Sequence, residues 1–203
     1  MNKTVLITGV TGMVGSHLAD YLLKKTKFKI YGLCRWRSPL DNVEHLLSIV
    51  NQKNSRLKFL SADLNDYSSL IKAVEISKPN YVYHLAAQSF PQASFEEANT
   101  TFNTNFIGTY NLLNAIKYLK IKPLIHVCSS SEVFGKVKKE NIPINEDCNY
   151  HPASPYAISK VGTDLVGRYF YEAFGLKVLT TRMFTHTGPR RGDVFVESSF
   201  AKQ

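Results

Sequence analysis

The 203-residue chain has little of several things that would define other kinds of protein. Its three cysteines, Cys34, Cys128 and Cys148, show no paired spacing and have no histidine cluster nearby. That excludes a disulfide framework and a zinc site, gives no expectation of a bound metal, and fits a reducing compartment such as the cytoplasm. Long apolar runs are missing too. The stretch from Tyr81 to Ala87 is among the longest and falls far short of a bilayer span, so neither a secretory signal, a membrane anchor nor a membrane partner is expected. Low-complexity segments, interior linkers and long-period repeats are absent, which argues against a disordered, modular or solenoid chain.

What is present is ordinary for a folded domain: 44% hydrophobic and 20% charged residues. The formal charge of +9 comes from 25 Lys and Arg against 16 Asp and Glu, and the basic residues are spread along the chain. A nucleic-acid partner is therefore not expected, whereas a positive cleft for a phosphate-rich small ligand accounts for the balance.

Short apolar runs alternate with helical patterns. Strands are expected at Lys3–Thr8, Lys29–Cys34, Leu57–Ser61, Asn80–Ala86, Pro123–Ser129 and Lys177–Arg182. Helices are expected at Met13–Lys25, Asp41–Val50, Ser68–Ser77 (capped by Asp63, Asn65 or Asp66), Ala98–Leu119 and Pro155–Phe174, with a further one opening at Phe195. Strands that are apolar without clean alternation belong in a parallel sheet buried on both faces. The fold class is α/β, a Rossmann-like doubly wound parallel sheet with helices on both faces. The expected division is a dinucleotide-binding domain over 1–184 and the start of a substrate-binding region over 185–203, most of the C-terminal substrate domain being absent from this chain.

Gly9, Gly12 and Gly15 lie three apart between the first strand and the first helix. In that setting they allow a tight turn, a close approach of backbone to a pyrophosphate, and close helix–strand packing, with the anion at the helix N-terminus. The expected cofactor-binding set includes Thr11, Met13 and Val14 in the same loop. Arg35, Trp36 and Arg37 follow the second strand, and no carboxylate appears before Asp41. A carboxylate there would accept from a free ribose 2′-hydroxyl, whereas a guanidinium suits a 2′-phosphate, so NADP is the expected cofactor. Asp63 and Leu64 at the end of the third strand are placed to meet the adenine, and Leu85, Ala86 and Ala87 let the cofactor lie close over the fourth.

Ser154 to Lys160 (SPYAISK) starts a helix and puts Tyr156 and Lys160 on one face. A neighbouring ammonium and a positive nicotinamide would each lower the phenol's pKa, fitting Tyr156 to exchange a proton with a substrate hydroxyl as hydride moves at the same carbon. The fifth strand ends in Ser129, Ser130, Ser131 and Glu132, on the side where open parallel sheets carry their sites. Ser130 offers a hydroxyl to the reacting oxygen. Glu132 is a carboxylate that alcohol oxidation alone does not need, and points to a proton moved at a second carbon. His84 and His126 are expected to be packed and hydrogen-bonded, Phe102 and Phe106 to lie in the core, and Asn105 to bond backbone beside the site. Thr185, Arg190 and Arg191 lie where a substrate phosphate could sit, or in a solvated basic loop.

These stretches together resemble the extended short-chain dehydrogenase/reductases that modify nucleotide sugars. Within that group the chain is most similar to the GDP-mannose 4,6-dehydratases, through ITGVTGMVGSHLADYLL, CRWRSPLDNVEHL, DLNDYSSL, YHLAAQSF, SSSEVFG, SPYAISK and GPRRGDVFV. The resemblance implies a lyase in which Ser130, Glu132, Tyr156 and Lys160 are catalytic, Ser131, Thr185 and Arg190 bind substrate, and NADP is held tightly. It also implies a GDP-mannose substrate and a homodimer or homotetramer. Two departures stand out: Ser130 replaces the family's threonine, and Thr185-His186-Thr187-Gly188 replaces its Asn-His-Glu-Ser. The second, with Phe200-Ala201-Lys202-Gln203, is more similar to the GDP-4-keto-6-deoxymannose reductases, which leaves that activity, or another nucleotide-sugar dehydratase or epimerase, as the alternative.

Overall fold

Six short apolar runs, each followed by a chain reversal through a helix, leave only parallel pairing open to them. The computed structural model, which describes residues 3–203, has β1 (Thr4–Thr8), β2 (Lys29–Cys34), β3 (Leu57–Ser61), β4 (Tyr81–His84), β5 (Leu124–Cys128) and β6 (Lys177–Thr181) in one sheet of order β3-β2-β1-β4-β5-β6. Every pairing is parallel. Successive side chains of β1 point to opposite faces, and both faces are covered. Val5 and Ile7 pack with Ala19 and Leu22 of α1 (Met13–Lys25) and Leu46 of α2 (Glu44–Val50). Leu6 packs on the other side with residues of α3 (Tyr67–Ser77) and, further along, with Leu112, Leu113, Ile116 and Phe170.

The predicted Ala98–Leu119 helix is broken by a π-turn. It runs as α5 (Ala98–Phe102), a π-helical turn over Asn103–Ile107, and α6 (Gly108–Tyr118). The extra residue in that turn shifts the helical phase, so Phe106 is 38% exposed and Phe102 only half-buried, contrary to the core placement expected from an unbroken period. Asn105 takes the buried position instead. A short helix that the pattern did not show, α4 (Pro91–Glu96), precedes it. The fourth strand also ends two residues earlier than expected. The N–H groups of Leu85 and Ala86 bond to the side chain of Thr8, each at 3.1 Å, and leave the ladder.

Of the three capping candidates for α3, Asp66 serves, its Oδ1 accepting from Ser68 N at 3.1 Å. α7 (Pro155–Phe174) begins as expected, with Ser154 Oγ accepting from Ala157 N at 3.0 Å and Pro155 in the first turn. Behind it, Arg182 donates through Nε to the buried Asp164 at 2.8 Å, and through its other nitrogens to Glu146 O and Tyr150 Oη, each at 2.7 Å. This network fastens the long segment between β5 and α7 to the sheet. The chain ends in α8 (Val196–Lys202). No helix among the described residues is long and apolar enough to cross a membrane, and none of them form a metal-holding cluster.

Candidate active site

Because β2 and β3 lie to one side of β1, and β4, β5 and β6 to the other, a crevice opens between the carboxyl ends of β1 and β4. The turn after β1 shapes it. Gly9 has φ +71°, and a Cβ there would stand 2.8 Å from the Ala86 backbone. At Gly15 a Cβ would stand 2.2 Å from Gly9 O, so helix and loop touch backbone to backbone. Gly12 is the N-cap of α1 with no side-chain cap, which leaves the helix's first N–H groups for a ligand. A Cβ at Gly12 would meet only Gly9 O, at 3.3 Å. This cradle fits a dinucleotide pyrophosphate.

The crevice widens into a cleft of about 1170 Å³ that brings together every residue assigned above to the cofactor, to catalysis or to substrate. At one end stand Arg35, Asn42, Asp63 and Leu64, and at the other Ser130, Glu132, Tyr156 and Lys160. Arg37 does not reach the cleft lining and lies over the exposed Trp36 ring, 4.4 Å from its centroid. The Asp63 carboxylate accepts from Asn65 N at 2.9 Å, which orients it at the end of β3.

Beneath the cleft runs a chain of hydrogen bonds that the sequence did not disclose. Thr109 Oγ1 donates its only proton to Asn105 O at 2.5 Å. It must therefore accept from His84 Nε2, at 2.9 Å, which makes Nδ1 the acceptor for the Thr8 hydroxyl at 2.8 Å. The Thr8 oxygen keeps its lone pairs for Leu85 N and Ala86 N. Each group is satisfied only with a neutral imidazole, and burial, aided by the charges of Lys160 and His126, pushes His84 down to about 3. His84 is thus the packed histidine expected; His126 is too, with Nε2 2.8 Å from Thr181 Oγ1.

The catalytic end is built by three elements. Ser130 caps the 3-10 turn Ser131–Phe134, its Oγ accepting from Glu132 N at 3.2 Å, which sets Glu132 facing the cleft. Ser94 of α4 accepts from Tyr156 N at 3.1 Å, pinning the first turn of α7. Asn105 bonds Gln88 N and O at 2.8 and 3.0 Å and Ser159 Oγ at 2.9 Å, the backbone role expected of it.

Tyr156 departs from expectation. Burial raises its pKa above the usual tyrosine value, against the pull of the Ser130 hydrogen bond and the Arg191 charge, while the nearby charges of Cys128 and Glu132 add to the rise. Lys160 is itself buried, which lowers its pKa, and it donates its ammonium to the carbonyl of Cys128. The sequence argument counted the lysine's charge but not the desolvation of both groups. Arg191, left out of the assigned site, is the arginine of the pair whose charge reaches the phenol. Arg190 lines the cleft, but its guanidinium is paired with Asp20 of α1, Nη1 and Oδ2 standing 2.7 Å apart.

A glycine cradle at the switch point of an open parallel sheet, with a Ser–Tyr–Lys set at the mouth of the same cleft, defines a nucleotide-binding protein of the short-chain dehydrogenase/reductase type. Residues 6–203 match the family model described as GDP-mannose 4,6 dehydratase, and the chain belongs to that family. It is 37% identical over 202 residues to a GDP-mannose 4,6-dehydratase of Vibrio cholerae serotype O1, covering 97% of this chain and 53% of that protein. To the GDP-mannose 4,6 dehydratase of Drosophila melanogaster it is 36% identical over 200 residues, covering 96% and 50%. The chain thus spans about half the length of the curated relatives it matches. Among solved structures it is similar to DesIV, a dTDP-glucose 4,6-dehydratase of Streptomyces venezuelae with NAD and TYD bound, at a TM-score of 0.85 and 26% identity over 98% of this chain and 61% of that one. It is also similar to RMD of Pseudomonas aeruginosa complexed with NADPH, at a TM-score of 0.77 and 30% identity over 98% and 60%.

Proposed function

We propose that this chain provides the NADP-binding and acid–base machinery of a GDP-mannose 4,6-dehydratase, with 1–184 as the dinucleotide domain and 185–203 as the start of the substrate region. The observation that carries the reading is Glu132 in one cleft with Tyr156, close enough for its charge to act on the phenol. The family membership supports the substrate. Solved neighbours hold NAD or NADPH, so they support a nicotinamide dinucleotide, and Arg35 at the adenosine end, with no carboxylate before Asp41, favours the 2′-phosphate.

When bound, the nicotinamide supplies hydride acceptance at one sugar carbon and its return at another, so the cofactor is recovered unchanged. The chain's own groups move the protons. Tyr156, in the same cleft as Ser130, takes the proton of the C4 hydroxyl. Glu132 takes the proton at C5, made acidic by the neighbouring ketone, and passes it to the C6 hydroxyl, which leaves as water; the proton held by Tyr156 goes to C5 as the hydride returns to C6. Arg191 offsets the burial of Tyr156 and favours its anion. A cytoplasmic homodimer or homotetramer belongs to the same reading.

The test is to incubate the purified protein with GDP-mannose and catalytic NADP⁺ and follow the sugar by mass. Loss of 18 mass units (one water) without net NADPH is expected, and Glu132→Gln should bind NADP normally while losing at least about 100-fold in dehydration. No turnover of GDP-mannose, with oxidation of NADPH on the 4-keto product, would overturn the reading in favour of the reductase that Thr185 to Gly188 resemble.

A further inference from the structure

The strand order leaves β6 at the edge of the sheet, three strands from β1, which is about 14 Å at the usual spacing. Yet the chain that leaves β6 returns to α1. It starts beside β5, where Ser131 N donates to Met183 O at 2.9 Å. Its tip then rests on the far side of the cleft, against the glycine loop. Asn42 Nδ2 donates both to Thr11 O at 3.0 Å and to Arg190 O at 3.1 Å. His17 Nε2 lies 3.2 Å from Pro189 O. Beyond the tip the chain comes back to the start of α4, where the Phe195 and Phe90 rings meet at 5.5 Å. Residues 183–195 are therefore a strap laid over the carboxyl ends of the strands.

The tip is held against its own preference. Arg190 has φ +70° and is not glycine, a conformation that persists only where surrounding contacts over-determine it. Asn42 holds its carbonyl, and a carboxylate holds its side chain. Asp20 Oδ2 pairs with Arg190 while Oδ1 lies 2.8 Å from His45 Nε2, joining strap, α1 and α2. Thr11 to Gly15 on one side and Thr185, Arg190 and Arg191 on the other line the same cleft. A dinucleotide reaching from Arg35 to Tyr156 must lie between them.

We propose that Asp20, Asn42 and Arg190 form a clasp that holds this strap across the cleft and sets how fast the dinucleotide leaves. This rests on the cofactor reading above. It gives Arg190 a positioning role in place of a contact with substrate phosphate. It also suits the chemistry, because a reaction that returns its hydride within one turnover has no need to exchange the cofactor.

Trp36, the only tryptophan, sits in the loop between β2 and α2 beside Arg35 and is a ready energy donor to bound NADPH. Stopped-flow displacement of NADPH by excess NADP⁺ then reads release directly. Asp20→Asn should speed release about tenfold or more, a loss of about 1.4 kcal/mol of retention, and Asp20→Glu should recover part of it. Arg190→Gly relaxes the backbone but removes the guanidinium, and should also release faster, which separates the clasp from a strain effect. Folded Asp20→Asn and Arg190→Gly proteins with the release rate of the parent would overturn the clasp alone. A parent protein that binds neither NADPH nor NADH would overturn the clasp together with the cofactor reading.

Discussion

Thr8→Val is the substitution that most directly tests the account of the cleft floor. The side chain is 1% exposed and valine matches its shape, so packing is preserved and only the hydroxyl is lost. That hydroxyl serves three partners: it donates to His84 Nδ1 at 2.8 Å and accepts from Leu85 N and Ala86 N, both at 3.1 Å. A buried polar group stripped of its partner costs about 1–3 kcal/mol. Leu85 and Ala86 border the cleft, where water can serve their N–H groups, whereas His84 lies beneath it, 3% exposed. The expected loss is about 3 kcal/mol, nearer the sum of three small penalties than of three large ones. For a chain of this size that lowers the midpoint of thermal unfolding by roughly 6–12 °C. Thr8→Ser is the control: it keeps the hydroxyl, loses one methyl, and should cost about 1 kcal/mol. Both variants would be followed by calorimetry and by urea denaturation. If the valine variant proves as stable as the serine variant, the three hydrogen bonds do not hold the turn after β4, and the tautomer assigned to His84 loses its basis.

The glycines of the loop should separate packing from binding. Gly15→Ala puts a Cβ 2.2 Å from backbone and should cost about 1–3 kcal/mol of stability as well as dinucleotide affinity, while Gly12→Ala meets only one atom, at 3.3 Å, and should weaken NADP binding in isothermal titration with little change in melting. Equal melting of the two would refute the distinction. His84 gives a pH signature. Its folded pKa, about 3, lies below the ordinary 6.5, so its contribution to stability is complete above 6.5 and declines as pH falls toward 3, by up to about 1.4 kcal/mol per unit. Urea melts between pH 6 and 4 should slope less steeply in His84→Gln, and an unchanged slope would count against a neutral buried imidazole.

The sheet and most of the cofactor end were legible in the sequence because their signals are local. An apolar run bounded by turn residues, or glycines at fixed spacing between a strand and a helix, means the same thing wherever the rest of the chain goes. Asn105 was legible in kind but not in detail, since its partners, Gln88 and Ser159, come from two other segments. Thr8 and Ser94 gave no signal. A threonine ending a strand and a serine in a short apolar helix acquire their roles only when the register sets Thr8 opposite His84 and α4 meets the start of α7. The rise that burial gives the Tyr156 pKa is hidden for a related reason: charge can be counted along a chain, but desolvation belongs to the packed state. Arg190 and Arg191 are adjacent in sequence yet serve different partners, Asp20 and Tyr156, and the first of them has a left-handed backbone.

The π-turn at Asn103–Ile107 gives this part of the chain a fixed length. Upstream of it, Thr100 of α5 faces the cleft; downstream, Leu112, Leu113 and Ile116 of α6 face the core. In an α-helix each residue advances the phase by about 100°, so the surplus residue acts as a gear tooth that aligns two faces one regular rod could not serve together. Removing any one of the other four residues of the turn would restore an ideal helix and swing Asn105 away from Gln88 and Ser159. An insertion or deletion of the same size among the exposed residues 138–141 moves no such gear. Where a family tolerates gaps is, at this point, decided by rotation rather than by exposure.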